Sequence, residues 1–201
     1  MYENVTRGSG LLEGFLAKQR VKIANKLIPV NYRQGRILDI GCGSYPLFLT
    51  STDFADKYGL DKVVQKDQVV LFKEKNIELV NFDSEQEKPL PFEDNFFDSV
   101  TMLAVFEHIE PDKLVGMLKE IKRVLKPGGM YVMTTPAVWT DGLLRTLAKF
   151  NLVSPAEIEE HKDAYSCKRI REILTQAGFS KDKIQFGYFE LFMNIWATAK
   201  K

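Results

Sequence analysis

The chain has 201 residues, with 28 Lys and Arg against 27 Asp and Glu and a formal net charge of +1, so no global charge drives it toward nucleic acid or an anionic membrane surface. At 45% hydrophobic and 27% charged residues it reads as an ordinary globular protein, long enough for one α/β domain and too short for two comfortable ones. Two cysteines, Cys42 and Cys167, exclude a disulfide framework and suit a reducing compartment. Met1-Tyr2-Glu3-Asn4 lacks the basic-then-apolar pattern of a leader, and no apolar run approaches a membrane span. The expectation is a cytoplasmic protein, monomer or homodimer, with no membrane and no nucleic acid as partner.

Residues 11–28 predict a helix, with Leu12, Phe15, Leu16, Ile23 and Leu27 on one face and Pro29 stopping it. Arg20 falls at the edge of that stripe. The favoured reading is that its stem is buried and its head reaches water; the alternative is that it meets a ligand carboxylate. Lys18, Lys22 and Lys26 make a second, solvated stripe.

Ile37-Leu38-Asp39-Ile40 then reads as a buried strand running into Gly41-Cys42-Gly43. A strand, a glycine turn and a short helix over 44–52 form the nucleotide-site geometry of open α/β sheets. Asp39 is the odd member, a carboxylate at an apolar strand end that needs a partner. Tyr58-Gly59-Leu60 is a second strand ending in Asp61, twenty positions beyond Gly41. At that separation such sites place an acid against ribose hydroxyls. A turn or N-cap role before a helix over 63–73 is the other reading of Asp61, and the two are compatible.

A third strand over 77–82 leads to Asp83, and Pro89-Leu90-Pro91-Phe92-Glu93-Asp94-Asn95 is a loop. Phe97 to Phe106 predicts a central strand buried on both faces, ending in Glu107-His108. Pro111 opens a helix with Leu114, Leu118, Ile121 and Leu125 inward, Pro127-Gly128-Gly129 ends it, and Met130 to Thr134 is a fifth strand. Strand–helix alternation argues a parallel sheet with right-handed crossovers. A helix from Trp139 to about Asn151 precedes a polar stretch with Glu157, Glu159, Glu160 and His161, a candidate lid. Ser166 caps a helix closed by Gly178, and the last two strands, over 183–188 and 191–199, form an antiparallel hairpin.

Asp39-Ile40-Gly41-Cys42-Gly43, Leu90-Pro91-Phe92 with Phe97-Asp98, and Leu125-Lys126-Pro127-Gly128-Gly129, in that order, resemble the class I S-adenosylmethionine-dependent methyltransferases, most closely the small-molecule group often labelled type 11. The resemblance covers residues 36–136. It implies an α/β, Rossmann-like, seven-stranded, mostly parallel sheet of order 3-2-1-4-5-7-6 with helices on both faces. The whole chain, 1–201, is then one methyltransferase domain with an N-terminal helical cap over about 1–30 and a lid-like insertion over about 137–166. It further implies S-adenosyl-L-methionine as cofactor, S-adenosyl-L-homocysteine as product and a small-molecule methyl acceptor, with O- or C-methylation open. By the same resemblance Asp39, Gly41, Cys42 and Gly43 hold the methionine end, Asp61 the ribose, and Asp83 with Phe82 and Ser84 the adenine. Leu103 and Ala104 line the reaction face. Tyr45 stands where a third glycine is often found.

Two rivals remain. A nicotinamide-dependent oxidoreductase needs a glycine five residues after Gly41, where Pro46 stands, and Asp39 would repel a pyrophosphate. The other is a non-catalytic methyltransferase-like binding protein. If the acceptor must lose a proton, His108 and His161 are the candidate bases. His108 reads equally as a structural histidine at a strand end, and His161 reads better as a surface residue. In ubiquinone-type O-methyltransferases a segment similar to Glu107-His108 carries an extra glutamate three residues earlier, and the set binds a divalent ion. Ala104 is at that position here, so no metal is expected.

Overall fold

The computed structural model describes residues 11–84, 88–150, 152–155, 158 and 162–201. Seven strands form one sheet in the order β3-β2-β1-β4-β5-β7-β6: β1 (Arg36–Ile40), β2 (Asp56–Asp61), β3 (Ile77–Asn81), β4 (Phe97–Leu103), β5 (Leu125–Pro136), β6 (Ile184–Phe189) and β7 (Asn194–Lys200). The four pairings from β3 through β5 run parallel, and β7 is antiparallel to both β5 and β6. This is the order that the family resemblance implies and the hairpin that the sequence predicts.

Strand alternation sends the two halves of the core to opposite faces. Leu38, Ile40, Val100, Met102, Tyr131 and Met133 pack on one face beneath α4 (Pro111–Val124) and the C-terminal helix α6 (Cys167–Gln176). Ile37, Met130 and Val132 pack on the other face with α1 (Glu13–Leu27), the single turn α2 (Leu47–Thr50) and α3 (Lys66–Lys73). Each fully buried side chain of this size contributes about 1.5–3 kcal/mol, so helices on both faces hold the sheet between them. The site lies on the sheet's C-terminal edge.

Local boundaries differ from the sequence reading for identifiable reasons. The α3 helix starts at Lys66 under a reciprocal capping box of Gln65 and Gln68, and not under Asp61. Strand β5 begins at Leu125, which pairs with Phe97 before the ladder resumes at Met130 opposite Ser99. Lys126 to Gly129 are therefore an excursion within the strand, with Gly128 at φ 78, rather than a helix terminator ahead of it. Ser166 caps α6 as expected, its Oγ accepting from the Arg169 amide at 3.3 Å.

The largest correction concerns α1. The predicted apolar stripe is not the buried face: Phe15 is 57% exposed and Leu12 37%, while Glu13, Ala17 and Ala24 are buried. Small residues let the helix approach the sheet closely, and rotating to seat them points Glu13 and Arg20 inward. Beyond β5, α5 (Asp141–Lys149) follows a short 3-10 turn at Val138–Thr140. Leu144 and Leu147 of α5 meet Leu16 of α1, Val153 and Ile158 in a small cluster separate from the main core. The Leu12 amide donates to the Leu152 carbonyl at 2.9 Å, and the buried Glu13 carboxylate accepts from the Ser154 amide at 3.0 Å. Tyr165, four residues beyond the candidate lid histidine, is fully buried against Phe106 with ring centroids 4.8 Å apart. His161 lies outside the described residues.

Candidate active site

The site begins where β1 ends. Gly41 (φ 78) and Gly43 (φ 72) both occupy the left-handed region, which side chains other than glycine's resist. The turn folds over the neighbouring strand: the Gly41 and Cys42 amides donate to the Leu60 carbonyl at 2.7 and 3.2 Å. The Gly43 amide then donates to Asp61 Oδ2 at 2.8 Å, and the Val63 amide donates to Asp61 Oδ1 at 3.1 Å. Asp61 thus ties the glycine turn to the end of β2, and the turn-forming reading holds for it.

Asp39 is 4% exposed. Parallel register sets it opposite Thr101 of β4, whose hydroxyl donates to Asp39 Oδ1 at 2.7 Å. Burial pushes the Asp39 carboxyl from 3.8 up to about 7; the Thr101 hydrogen bond opposes the shift and the Asp61 charge adds to it. Two buried carboxylates close enough to feel each other make a site that favours a cation. That arrangement disfavours a dinucleotide pyrophosphate.

Gly41, Asp61, Phe82, Ser84, Leu103 and Ala104 all line one pocket at the C-terminal edge of the sheet. Asp39, Gly43 and Asp83 are not among the residues that line it, and Asp83 is half-buried between Phe82 and Ser84 in sequence. The Cys42 side chain is buried away from the pocket, in the core beneath the loop. A Cβ on Gly59 would press on its sulfur. Only the Cys42 backbone faces the turn. Ala104 itself sits at φ 55, an uncommon conformation for a side-chain-bearing residue. It turns the chain from β4 into the 3-10 segment Phe106–His108, which puts Glu107 and His108 on the pocket wall.

The far half of the pocket is apolar. Leu12, Leu16, Leu144, Leu147, Val153 and Ile158 wall it, joined by the polar groups of Glu13, Arg20 and Asn194. The sequence reading named Leu12, Leu16 and Arg20 on the N-terminal helix, but did not single out Glu13, Leu144, Leu147, Val153, Ile158 or Asn194. Arg20, whose stem the sequence reading buried with its head toward water or a ligand, is half-buried on the pocket wall, and its Nε is buried with no hydrogen-bond partner among the described residues. A polar residue beside a stripe of small residues was the available signal.

A Cβ added at Gly41 would collide with Val105 Cγ2 and would hold a residue at positive φ. Gly41→Ala is therefore expected to lower stability by about 1–3 kcal/mol and to weaken ligand binding at the turn. Urea denaturation and calorimetry with S-adenosylhomocysteine check both.

A sheet of this order, with a glycine turn after β1, an acid at the end of β2 and a pocket across the strand ends, has the layout of a nucleotide-cofactor site in an open α/β protein. The "Methyltransferase domain" family model matches residues 38–133, and the fold is shared with solved S-adenosylmethionine-dependent methyltransferases. The chain is 29% identical to a demethylmenaquinone methyltransferase of Staphylococcus haemolyticus, across 92% of this chain and 86% of that protein. Against the protein of the same name from Staphylococcus saprophyticus it is 35% identical across 55% of this chain, and the match spans about half, 52%, of that relative. In fold it resembles a Thermotoga maritima SAM-dependent methyltransferase described as a possible histamine N-methyltransferase, with a TM-score of 0.68, 18% identity, and coverage of 93% of this chain and 89% of the other. No described helix is long and apolar enough to cross a membrane.

Proposed function

We propose that the chain transfers the methyl group of S-adenosylmethionine to a small molecule held in the apolar chamber beneath α1 and α5. The observation that carries this reading is the pair of buried carboxylates, Asp39 and Asp61, at a glycine turn that opens onto that chamber. The residues suit the cofactor: acids for an ammonium and for hydroxyls, main chain free of Cβ where a ligand meets it, and apolar walls around a sulfonium. When bound, the cofactor supplies an electrophilic methyl group on that sulfonium.

In this reading Asp39 with the backbone of Gly41, Cys42 and Gly43 holds the methionine end. Asp61 accepts from the ribose hydroxyls, and Phe82, Asp83 and Ser84 hold the adenine. Leu103 and Ala104 face the reacting centre. Methyl transfer is an in-line displacement, so the protein contributes mainly position and exclusion of water. The α1 cap and the segment over 137–166, reading together as cap and lid of one domain, supply the exclusion. For an acceptor that must lose a proton, His108 on the chamber wall takes it. The relatives named for demethylmenaquinone make quinone-derived rings the first acceptors to try.

The test pairs calorimetry with a transfer assay. S-adenosylhomocysteine is expected to bind and NAD to give no heat, and label from methyl-labelled S-adenosylmethionine is expected in the organic extract of an acceptor panel that includes demethylmenaquinone. Absence of S-adenosylhomocysteine binding would sink the reading; binding without transfer to any acceptor would favour the non-catalytic alternative.

A further inference from the structure

The end of the chamber remote from the glycine turn carries a second recognition feature. Arg20 Nε is buried without a hydrogen-bond partner among the described residues, and so is Glu190 Oε1. The two side chains sense each other: burial raises the Glu190 carboxyl, while the Arg20 charge and an Asn194 hydrogen bond hold it down. Glu190 Oε2 takes the Asn194 amide, and Asn194 and Arg20 both line the pocket. No direct ion pair joins Arg20 to Glu190. A buried donor on the pocket-lining Arg20 and a buried acceptor on Glu190, which is bonded to the pocket-lining Asn194, therefore each lack a counterpart among the described residues, and orphaned polar groups of this kind are costly unless something fills them.

The backbone that presents Glu190 is strained as well. Glu190, Leu191 and Phe192 all take positive φ, at 51, 55 and 69, three consecutive residues that pay for a left-handed turn without glycine. The Trp139 indole N–H holds this turn by donating to the Phe192 carbonyl at 3.1 Å. Such strain persists where the surroundings fix it, and here the turn leads into Asn194 on the pocket wall, with Glu190 bonded to it.

Its place in the sheet separates this feature from the cofactor half. From β1, which bears the glycine turn, the order runs through β4 and β5 to β7. Three strand spacings put Asn194 about 14 Å from the turn, beyond the strand ends at Leu103 and Ala104.

We propose that Arg20 and Glu190 form an acceptor subsite that recognises a hydroxyl group on an otherwise apolar, ring-sized molecule. A hydroxyl oxygen accepts from Arg20 Nε while its proton is donated to Glu190 Oε1, so one group satisfies both orphans. The guanidinium and carboxylate balance in charge, so a neutral hydroxyl suits the pair better than an anion. This rests on the methyltransferase reading only in assigning the other half of the pocket to the cofactor.

The test uses the full chain with saturating S-adenosylhomocysteine and three probes of one shape: 2-naphthol, 2-methylnaphthalene and 2-naphthoate, followed by ligand-observed NMR. Wild type is expected to bind 2-naphthol at least about tenfold more tightly than either of the others, because a site built around a hydroxyl rejects its analogues. Arg20→Met and Glu190→Leu are each expected to erase that preference while S-adenosylhomocysteine affinity stays within about twofold. Arg20→Lys, which keeps the charge but moves the donor, is expected to reduce it and covers the case of an unfolded Met variant. Equal binding of 2-naphthol and 2-methylnaphthalene by wild type would overturn the proposal, as would a preference for 2-naphthoate. So would a loss of S-adenosylhomocysteine affinity in a folded Arg20 variant, which would reassign Arg20 to the cofactor. If wild type fails to bind S-adenosylhomocysteine, the cofactor reading falls, while the probe comparison repeated without it still decides the subsite.

Discussion

Asp61→Ala is expected to weaken S-adenosylhomocysteine binding by at least about 100-fold, near 2.7 kcal/mol. Two contributions add. In the proposed complex the carboxylate accepts from the ribose hydroxyls, and hydrogen bonds to a charged group are worth about 1.5–3 kcal/mol each. In the free protein the same carboxylate already holds the Gly43 and Val63 amides at 2.8 and 3.1 Å, so its removal also releases the glycine turn from β2. Asp61→Asn separates the two. Its single carbonyl oxygen can keep one amide, and the expected loss is intermediate, about tenfold. Calorimetry gives the affinities and urea denaturation reports the cost to the free turn. An alanine variant that binds like wild type would remove Asp61 from the cofactor site.

The sheet order was legible only through the resemblance carried by the ordered motifs, while the central strand was legible in its own residues, Phe97 to Leu103 being buried along nearly its whole length. The glycine turn and Asp61 were legible for a different reason: chemistry and spacing along the chain specify them. What sequence did not disclose depends on register or rotation. Thr101 is one hydroxyl in an apolar strand until parallel pairing sets it opposite Asp39. The orientation of α1 follows from Ala17 and Ala24 seating against the sheet, which outweighs the larger but exposed Phe15. That rotation is what brings Glu13 and Arg20 inside. Asn194 and Glu190 carry no local signal, since their importance arises only because β7 returns antiparallel beside β5 and delivers its first residue to the pocket. In the proposed reading, cofactor recognition therefore sits in short local motifs, whereas acceptor recognition is assembled from distant segments.

The buried Asp39 carboxyl predicts a pH dependence whose sign differs between the free and the liganded protein. In the unfolded chain this carboxyl loses its proton near 3.8, and in the fold it holds the proton to about 7. Between those values the folded state binds the extra proton, so the contribution to stability is complete below about pH 4 and is lost as pH rises through about 7. Three units correspond to about 4 kcal/mol, the upper bound for this group. Urea denaturation of the ligand-free protein is expected to give lower stability at pH 8 than at pH 5, by on the order of 3 kcal/mol, and Asp39→Asn is expected to remove most of that difference. A cationic cofactor end reverses the preference, because it favours the ionised carboxylate. Binding of S-adenosylhomocysteine near pH 6 should then release a proton, visible as a dependence of the measured heat on the buffer's ionisation enthalpy. Affinity should rise from pH 5 to pH 8 in wild type and stay flat in Asp39→Asn. The variant should also bind more weakly at pH 8, since a neutral amide cannot replace the charge. A wild type whose affinity ignores pH across that window would place the ligand's cationic end away from Asp39. It would leave the Asp39–Thr101 pair as a structural feature of the strand end.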